Sequence, residues 1–159
     1  MIASSSILSI LRSSREIADP VHITGLSRGA RALLLARWGL EREAGPLLVV
    51  CPTNDIALEL TEEIETLSET ALGRPVHAAA FAGWDHSPFS SIPPSISSRL
   101  SRIALLTRLA KGENAPDVVL TSLPAALHRT LPLAVLEAHS FICRAGESLG
   151  SREELARSL

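Results

Sequence analysis

The sequence predicts an α/β fold, a mostly parallel β-sheet with helices on both of its faces. Short apolar runs of strand length alternate along the chain with longer segments whose apolar residues recur at helical spacing. Two of these runs, residues 46–51 and 117–121, are apolar without alternation, which is typical of strands buried on both faces. Strands that alternate with helices favour parallel pairing through right-handed crossovers.

The composition indicates a folded protein. Hydrophobic residues make up 46% of the 159 residues and charged residues 20%, a balance that supports a buried core. The formal net charge of −2 gives no global electrostatic basis for binding nucleic acid. No run approaches the ~20 apolar residues of a membrane span. We therefore expect a cytoplasmic chain, monomeric and without membrane contact.

Five strands are predicted from apolar or β-branched runs, at residues 21–24, 46–51, 75–81, 117–121 and 140–144. Two cysteines, Cys51 and Cys143, each lie at or near the end of such a run. We interpret both as small core residues and not as a disulfide or a metal pair.

Helices are predicted between the strands and at the N-terminus, where residues 1–16 form a serine-rich segment. Residues 30–38 and 123–131 form two further short helices. A longer helix, capped by Thr53 or Asn54, carries the stripe Ile56, Leu60, Ile64 and Leu67. Another ends at Lys111 and Gly112 and carries the stripe Ile96, Leu100, Ile103, Leu106 and Leu109. A proline-rich loop at residues 83–95 precedes it.

The last residues predict a change of domain. Gly146 and Gly150 flank a turn, and residues 151–154 have the form of a capping box that opens a helix. We expect one domain over residues 1–145 and the truncated start of a second over residues 146–159.

The junction at residues 22–38 resembles a phosphate-binding loop in shape but lacks its chemistry. A P-loop needs G-x-x-x-x-G-K-[ST], whose lysine and hydroxyl hold phosphate and magnesium. Gly25 and Gly29 are one residue too close, and Ala30 and Arg31 stand where lysine and serine or threonine belong. We therefore expect no nucleotide site here. A helix N-terminus that follows a tight glycine turn is the preferred interpretation.

Residues 25–29 also match the G-x-S-x-G elbow of serine hydrolases, and a triad of Ser27, Asp117 and His139 can be written. No glycine-rich oxyanion loop precedes Ser27, and Asp117 and His139 stand at the starts of predicted strands. A triad places its members on loops at the carboxyl ends of the strands. The alternative is that Ser27 caps the helix that follows.

Other candidate constellations are sparse. The five histidines, His22, His77, His86, His128 and His139, show no metal-ligand spacing. Asp85 and His86 could form a catalytic pair, but a turn aspartate beside a solvated histidine is preferred. Arg99, Arg102 and Arg108 lie around the outer side of the predicted 96–110 helix. They could contact phosphate, including that of DNA, or an acidic partner, although a solvated helix face is the preferred interpretation.

Several stretches, in one collinear order over residues 20–159, resemble the N-terminal module of the bacterial transcription–repair coupling factors, the Mfd family. They are "ITGLSRGARALLLA", "GPLLVVCPTNDIALELTEEI", "GWDHSPF" followed by "ISSRLSRIALLTRLAKGE", "DVVLTSLPAALHRTLP" and "HSFICRAGESLGSREELARSL". Phe89 stands where family members usually carry tyrosine.

The resemblance implies a helicase-like (RecA-like) domain, similar to the excision-repair protein UvrB, with a degenerate P-loop and no functional nucleotide site. It implies a non-catalytic scaffold, with no catalytic, cofactor-binding or metal-binding residue in this chain. In the family this module docks UvrA. Other domains bind RNA polymerase and use ATP and magnesium to translocate along double-stranded DNA. The UvrA-docking surface of the family lies mostly beyond Leu159. A serine hydrolase using Ser27 and a DNA-binding helicase-like domain are the alternatives.

Overall fold

The computed structural model describes residues 22–85, 89–140, 145–146, 151 and 153. Within these ranges helices and strands alternate, as predicted. Their order is α1 (Arg28–Leu40), β1 (Leu47–Cys51), α2 (Asn54–Leu72), β2 (Ala78–Phe81), α3 (Ile96–Lys111), β3 (Val118–Ser122), α4 (Leu123–Leu127) and α5 (Leu133–His139).

The three strands form a parallel sheet in the order β1-β3-β2. In the register of the sheet, both Leu47 of β1 and Ala78 of β2 lie opposite Val118 of β3. All five residues of β3 are buried because it has a neighbour on each side. The α/β class and the parallel sheet are confirmed, and so are the three strands predicted at 46–51, 75–81 and 117–121, with ends shifted by up to three residues.

The strand predicted at residues 21–24 is wrong for its described part. Residues 22–24 are exposed and form no strand. A strand is held by hydrogen bonds to a neighbour, and these residues instead lead into the start of α1. Val21, the predicted N-terminal helix, Cys143 and, apart from Ser140, the strand predicted at residues 140–144 lie outside the described residues. The domain boundary at residue 145 stays a prediction.

One face of the sheet carries α1 and α2. Ile64 of α2, Leu120 of β3 and Ala36 of α1 are buried in one apolar cluster on this face. The stripe predicted for α2 is confirmed, since Leu60 and Ile64 are buried while Ile56 and Leu67 pack against the cluster. Thr53 is the cap, and its Oγ1 accepts from the Ile56 amide at 3.2 Å.

The opposite face of the sheet carries α3. Ala78 packs against the first cluster, so by strand alternation Phe81 points to the other face. There the Arg102 guanidinium of α3 lies over its ring. Helices therefore cover both faces, as predicted. Edge strand β1 remains uncovered on the α3 side, where Leu48 is 62% exposed and Val50 53% exposed.

The rotation of α3 about its own axis differs from the prediction. Ile96, Leu100 and Ile103 of the predicted stripe are exposed, whereas Arg102 and Leu105 are each only 4% exposed. A second row on the helix, formed by Ser98, Arg102, Leu105 and Leu109, has the same helical spacing and is the row that faces the sheet. The apolar pattern pointed to the wrong row because an arginine occupies the centre of the right one.

Gly39 marks a close approach of α1 to the sheet, and we expect Gly39→Ala to lower the free energy of unfolding by up to about 2 kcal/mol. A Cβ atom there would lie 2.6 Å from Val118 Cγ2 and 3.3 Å from the Asp117 carbonyl oxygen. Overpacking of this kind costs about 1–3 kcal/mol, less the ~1 kcal/mol by which alanine favours a helix. Urea denaturation measures the difference.

Gly29→Ala in the same helix is the matched control. Its Cβ would meet only Leu67 Cδ1, at an ordinary 3.7 Å, so this variant is expected to be as stable as the parent or more stable. Equal stabilities for the two variants would contradict the close approach at Gly39.

Candidate functional site

The junction before α1 is a helix cap. Gly25 has a φ of +76°, a left-handed conformation that glycine adopts without strain. Ser27 follows in extended conformation, and its Oγ accepts from the Ala30 amide at 3.3 Å. The Ser27 carbonyl oxygen accepts from the Arg31 amide at 3.0 Å. The interpretation of Ser27 as an N-cap is confirmed.

The surroundings of this cap are acidic. The Arg28 guanidinium forms ion pairs with Glu59, at 2.8 Å, and with Glu63, both on α2. A cleft of about 430 Å³ beside Gly29 is lined by these two carboxylates and by that of Glu62. A P-loop places a lysine and free backbone amides around the phosphates. Here glutamates line the cleft beside Gly29 and Arg28 is already paired with two of them, an arrangement that disfavours a polyphosphate.

The residues of the possible serine triad are not brought together. Ser27 precedes the first turn of α1, whereas Gly39 near its end packs against Asp117. A helix of this length separates the two by about 18 Å. The Asp117 carboxylate accepts from the His77 amide at 2.9 Å, which ties together the segments before β2 and β3. His139 ends α5, which packs against α3.

The carboxyl ends of all three strands meet at Asn54. Its Oδ1 accepts from the Gly83 amide, which follows β2, at 3.1 Å, and from the Ser122 hydroxyl at the end of β3, at 2.7 Å. Asn54 itself follows β1 by three residues. A Cβ on Gly83 would lie 2.8 Å from Asn54 Nδ2, so any side chain at residue 83 would displace the Asn54 amide. Sequence analysis missed it, considering Asn54 only as a cap.

Arg102 is the buried charge at this end of the sheet. Its guanidinium carbon lies 3.9 Å from the ring centroid of Phe81 and 4.6 Å from that of Trp84. Its Nη1 donates to the Ala82 carbonyl oxygen at 2.6 Å. Burial lowers the pKa of Arg102 from its ordinary value, but arginine stays protonated at neutral pH. The cation is therefore held by two aromatic rings and one carbonyl.

A pocket of about 310 Å³ opens beside this arginine. Trp84 forms part of its wall, and the His128 ring lies on Trp84 with 6.2 Å between centroids. Two buried nitrogen atoms here, Arg102 Nη2 and His128 Nδ1, have no hydrogen-bond partner among the described residues. The lining residues are Trp84, Arg99, Arg102, Ile103, Leu106, Arg129, Thr130 and Leu131.

The three arginines of α3 do not form one phosphate-binding face. The prediction that all three lie on the outer side of the helix is wrong for Arg102, which is buried. Arg99 is exposed. Arg108 donates from Nε to the Asn114 carbonyl oxygen at 2.8 Å, closing the turn after the helix. Arg102 is buried because two aromatic side chains compensate its charge, a partnership that helical periodicity does not register.

Asp85 organises the proline-rich loop. Its two carboxylate oxygens accept from the Ser95 amide at 3.1 and 3.2 Å, just before α3 begins. This contact supports the interpretation of Asp85 as a turn residue. His86, its possible catalytic partner, lies outside the described residues.

Cys51 is a free thiol buried where β1 ends, which confirms it as a small core residue. Burial raises the pKa of this thiol, and the Arg31 guanidinium partly opposes that effect. Across the described ranges, histidine, cysteine and acidic side chains form no group of three or more that could hold a metal ion. None of the helices in that part of the chain has both the length and the apolar content required to cross a bilayer.

Comparison with known proteins gives one informative relative. No protein-family model matches the chain. The chain is 28% identical over 145 residues to the transcription-repair-coupling factor of Escherichia coli (strain K12). The match covers 89% of this chain and 12% of the relative. The chain is therefore distantly similar to one region of a transcription-repair-coupling factor, and it spans about one eighth of that protein's length.

Proposed function

We propose that this chain is the N-terminal region of a transcription–repair coupling factor and serves there as a non-catalytic scaffold in DNA repair. The collinear similarity to the Escherichia coli factor over 145 residues carries this proposal. The parallel α/β fold supports it, because a helicase-type module requires such a sheet.

We further propose that the fold is helicase-like and UvrB-like, with a P-loop that has lost its nucleotide site. Two observations support a degenerate loop. The Ser27 hydroxyl caps α1 by accepting from the Ala30 amide. Arg28 forms ion pairs with Glu59 and Glu63 and is therefore not available to bind a phosphate. ATP and magnesium would then act in other domains of the full protein.

The partners follow from the same proposal. In the full protein, UvrA would dock mainly on the domain that begins near residue 146. RNA polymerase and double-stranded DNA would bind to later domains. The present chain would position the UvrA-docking domain and contribute no chemistry, and the full protein would act in the cytoplasm.

The test uses the full-length protein that contains this chain. We expect it to release RNA polymerase stalled on DNA when ATP is supplied, and to bind UvrA. We expect the chain alone to bind magnesium-ATP no better than millimolar in calorimetry, because glutamates line the cleft beside Gly29 and engage Arg28. A full-length protein that neither releases polymerase nor binds UvrA would refute the family role. Tight ATP binding by the chain alone would refute only the lost nucleotide site.

A further inference from the structure

The pocket beside α3 combines positive charge with apolar walls. Arg99 and Arg102 reach it from α3, and Arg129 from the segment that follows α4. None of the described residues that line it is acidic. The acidic residue that follows Trp84 in sequence, Asp85, accepts from the Ser95 amide. Among the described residues of the wall, the positive charge of this pocket therefore has no carboxylate beside it.

Arg102 shows what kind of group is missing. It is 4% exposed, its Nη1 is bound to Ala82, and rings of Phe81 and Trp84 cover its faces. Arg102 lines the pocket, and its buried Nη2 has no hydrogen-bond partner in the described part of the chain. A buried donor on an ionised group lowers the stability of the fold when it makes no hydrogen bond. A carboxylate is the acceptor that best fits a guanidinium edge.

The rest of the wall indicates what else the ligand carries. Ile103, Leu106 and Leu131 line the pocket beside Trp84. Leu100, one turn away on α3, is 60% exposed, and Leu133 is 57% exposed. A surface of this kind suits aliphatic side chains, whereas nucleic-acid backbones are bound by extended basic surfaces.

We propose that this pocket docks an acidic segment of a partner protein in which aspartate or glutamate alternates with aliphatic residues. One carboxylate binds the exposed guanidinium groups of Arg99 and Arg129, beside the buried cation of Arg102. A neighbouring aliphatic side chain packs against Trp84 and Leu131. This docking site is separate from the scaffold role proposed above and stands or fails independently of it.

The test is a binding titration with a defined probe, a labelled eight-residue peptide of alternating leucine and glutamate, followed by fluorescence anisotropy. Arg99→Glu and Arg129→Glu reverse exposed charges at the pocket and are each expected to weaken binding at least tenfold. Arg74→Glu makes the same charge change at an exposed arginine that does not line the pocket. It should bind within twofold of the parent.

Two further probes distinguish the chemistry of the ligand. A leucine–glutamine peptide of the same length should bind at least tenfold more weakly, because it lacks the carboxylate. An eight-nucleotide oligothymidylate should bind more weakly than the acidic peptide. Equal binding of the glutamine peptide, tighter binding of the oligonucleotide, or no binding of the acidic peptide at millimolar concentration would each overturn the proposal.

Discussion

Arg102→Ala is expected to lower the free energy of unfolding by about 2–3 kcal/mol. The substitution removes a guanidinium from between the rings of Phe81 and Trp84, contacts worth about 2 kcal/mol each when desolvated. It also removes a charge-assisted hydrogen bond to Ala82, worth about 1.5–3 kcal/mol. Relief from burying the charge offsets part of this loss. Chemical denaturation monitored by tryptophan fluorescence measures the change.

Arg99→Ala, one turn earlier on the same helix, is the matched control. Arg99 is exposed, so its removal should change stability by less than about 0.5 kcal/mol. Arg102→Met fills the space between the rings without a charge, and it should retain more stability than Arg102→Ala. If Arg102→Ala and Arg99→Ala were equally stable, Arg102 would belong to a solvated face, as the sequence alone suggests.

The second large effect is expected at Asn54, where alanine should cost about 3 kcal/mol. The Gly83 amide and the Ser122 hydroxyl both donate to its Oδ1. Each buried donor left without a partner costs about 1–3 kcal/mol. The loss acts at the point where the ends of the three strands meet. Thermal and urea unfolding both report it.

Asn54→Asp tests the hydrogen-bond acceptor of residue 54 apart from its amide NH₂ group. A carboxylate keeps an oxygen for both donors, and its charge is favourable in the first turn of α2. We expect this variant to regain most of the stability lost in Asn54→Ala. A carboxylate variant as unstable as the alanine variant would show that the Oδ1 hydrogen bonds are not what Asn54 contributes.

The strands and α2 could be predicted because apolar content alone determines their position. Leu47–Cys51 is a continuous apolar run that forms an edge strand, and the mainly apolar Val118–Ser122 forms the buried central strand. The stripe of α2 is apolar on the face that is buried. The left-handed φ of +66° at Gly112, where α3 ends, also follows from a local rule about helix termini.

The candidate site could not be predicted because it depends on partners far apart in sequence. Ser122 lies 68 positions from the Asn54 oxygen to which it donates. Arg102 is buried only because Phe81 and Trp84 come from the end of another strand. A prediction from hydrophobic periodicity places every arginine on the solvent-exposed face of a helix. It therefore assigned Ile96 and Leu100 to the core and Arg102 to solvent, which reverses their observed places.

The position of β3 has a consequence for how the chain is made. In the described sheet, β1 and β2 each pair with β3 and not with each other. During translation both outer strands emerge before the strand that joins them. The native hydrogen bonds among these strands can therefore form only once β3 has begun to leave the ribosome. Until then, α1 and α2 can associate with each other, but Leu120, which packs in their common core, has not yet emerged.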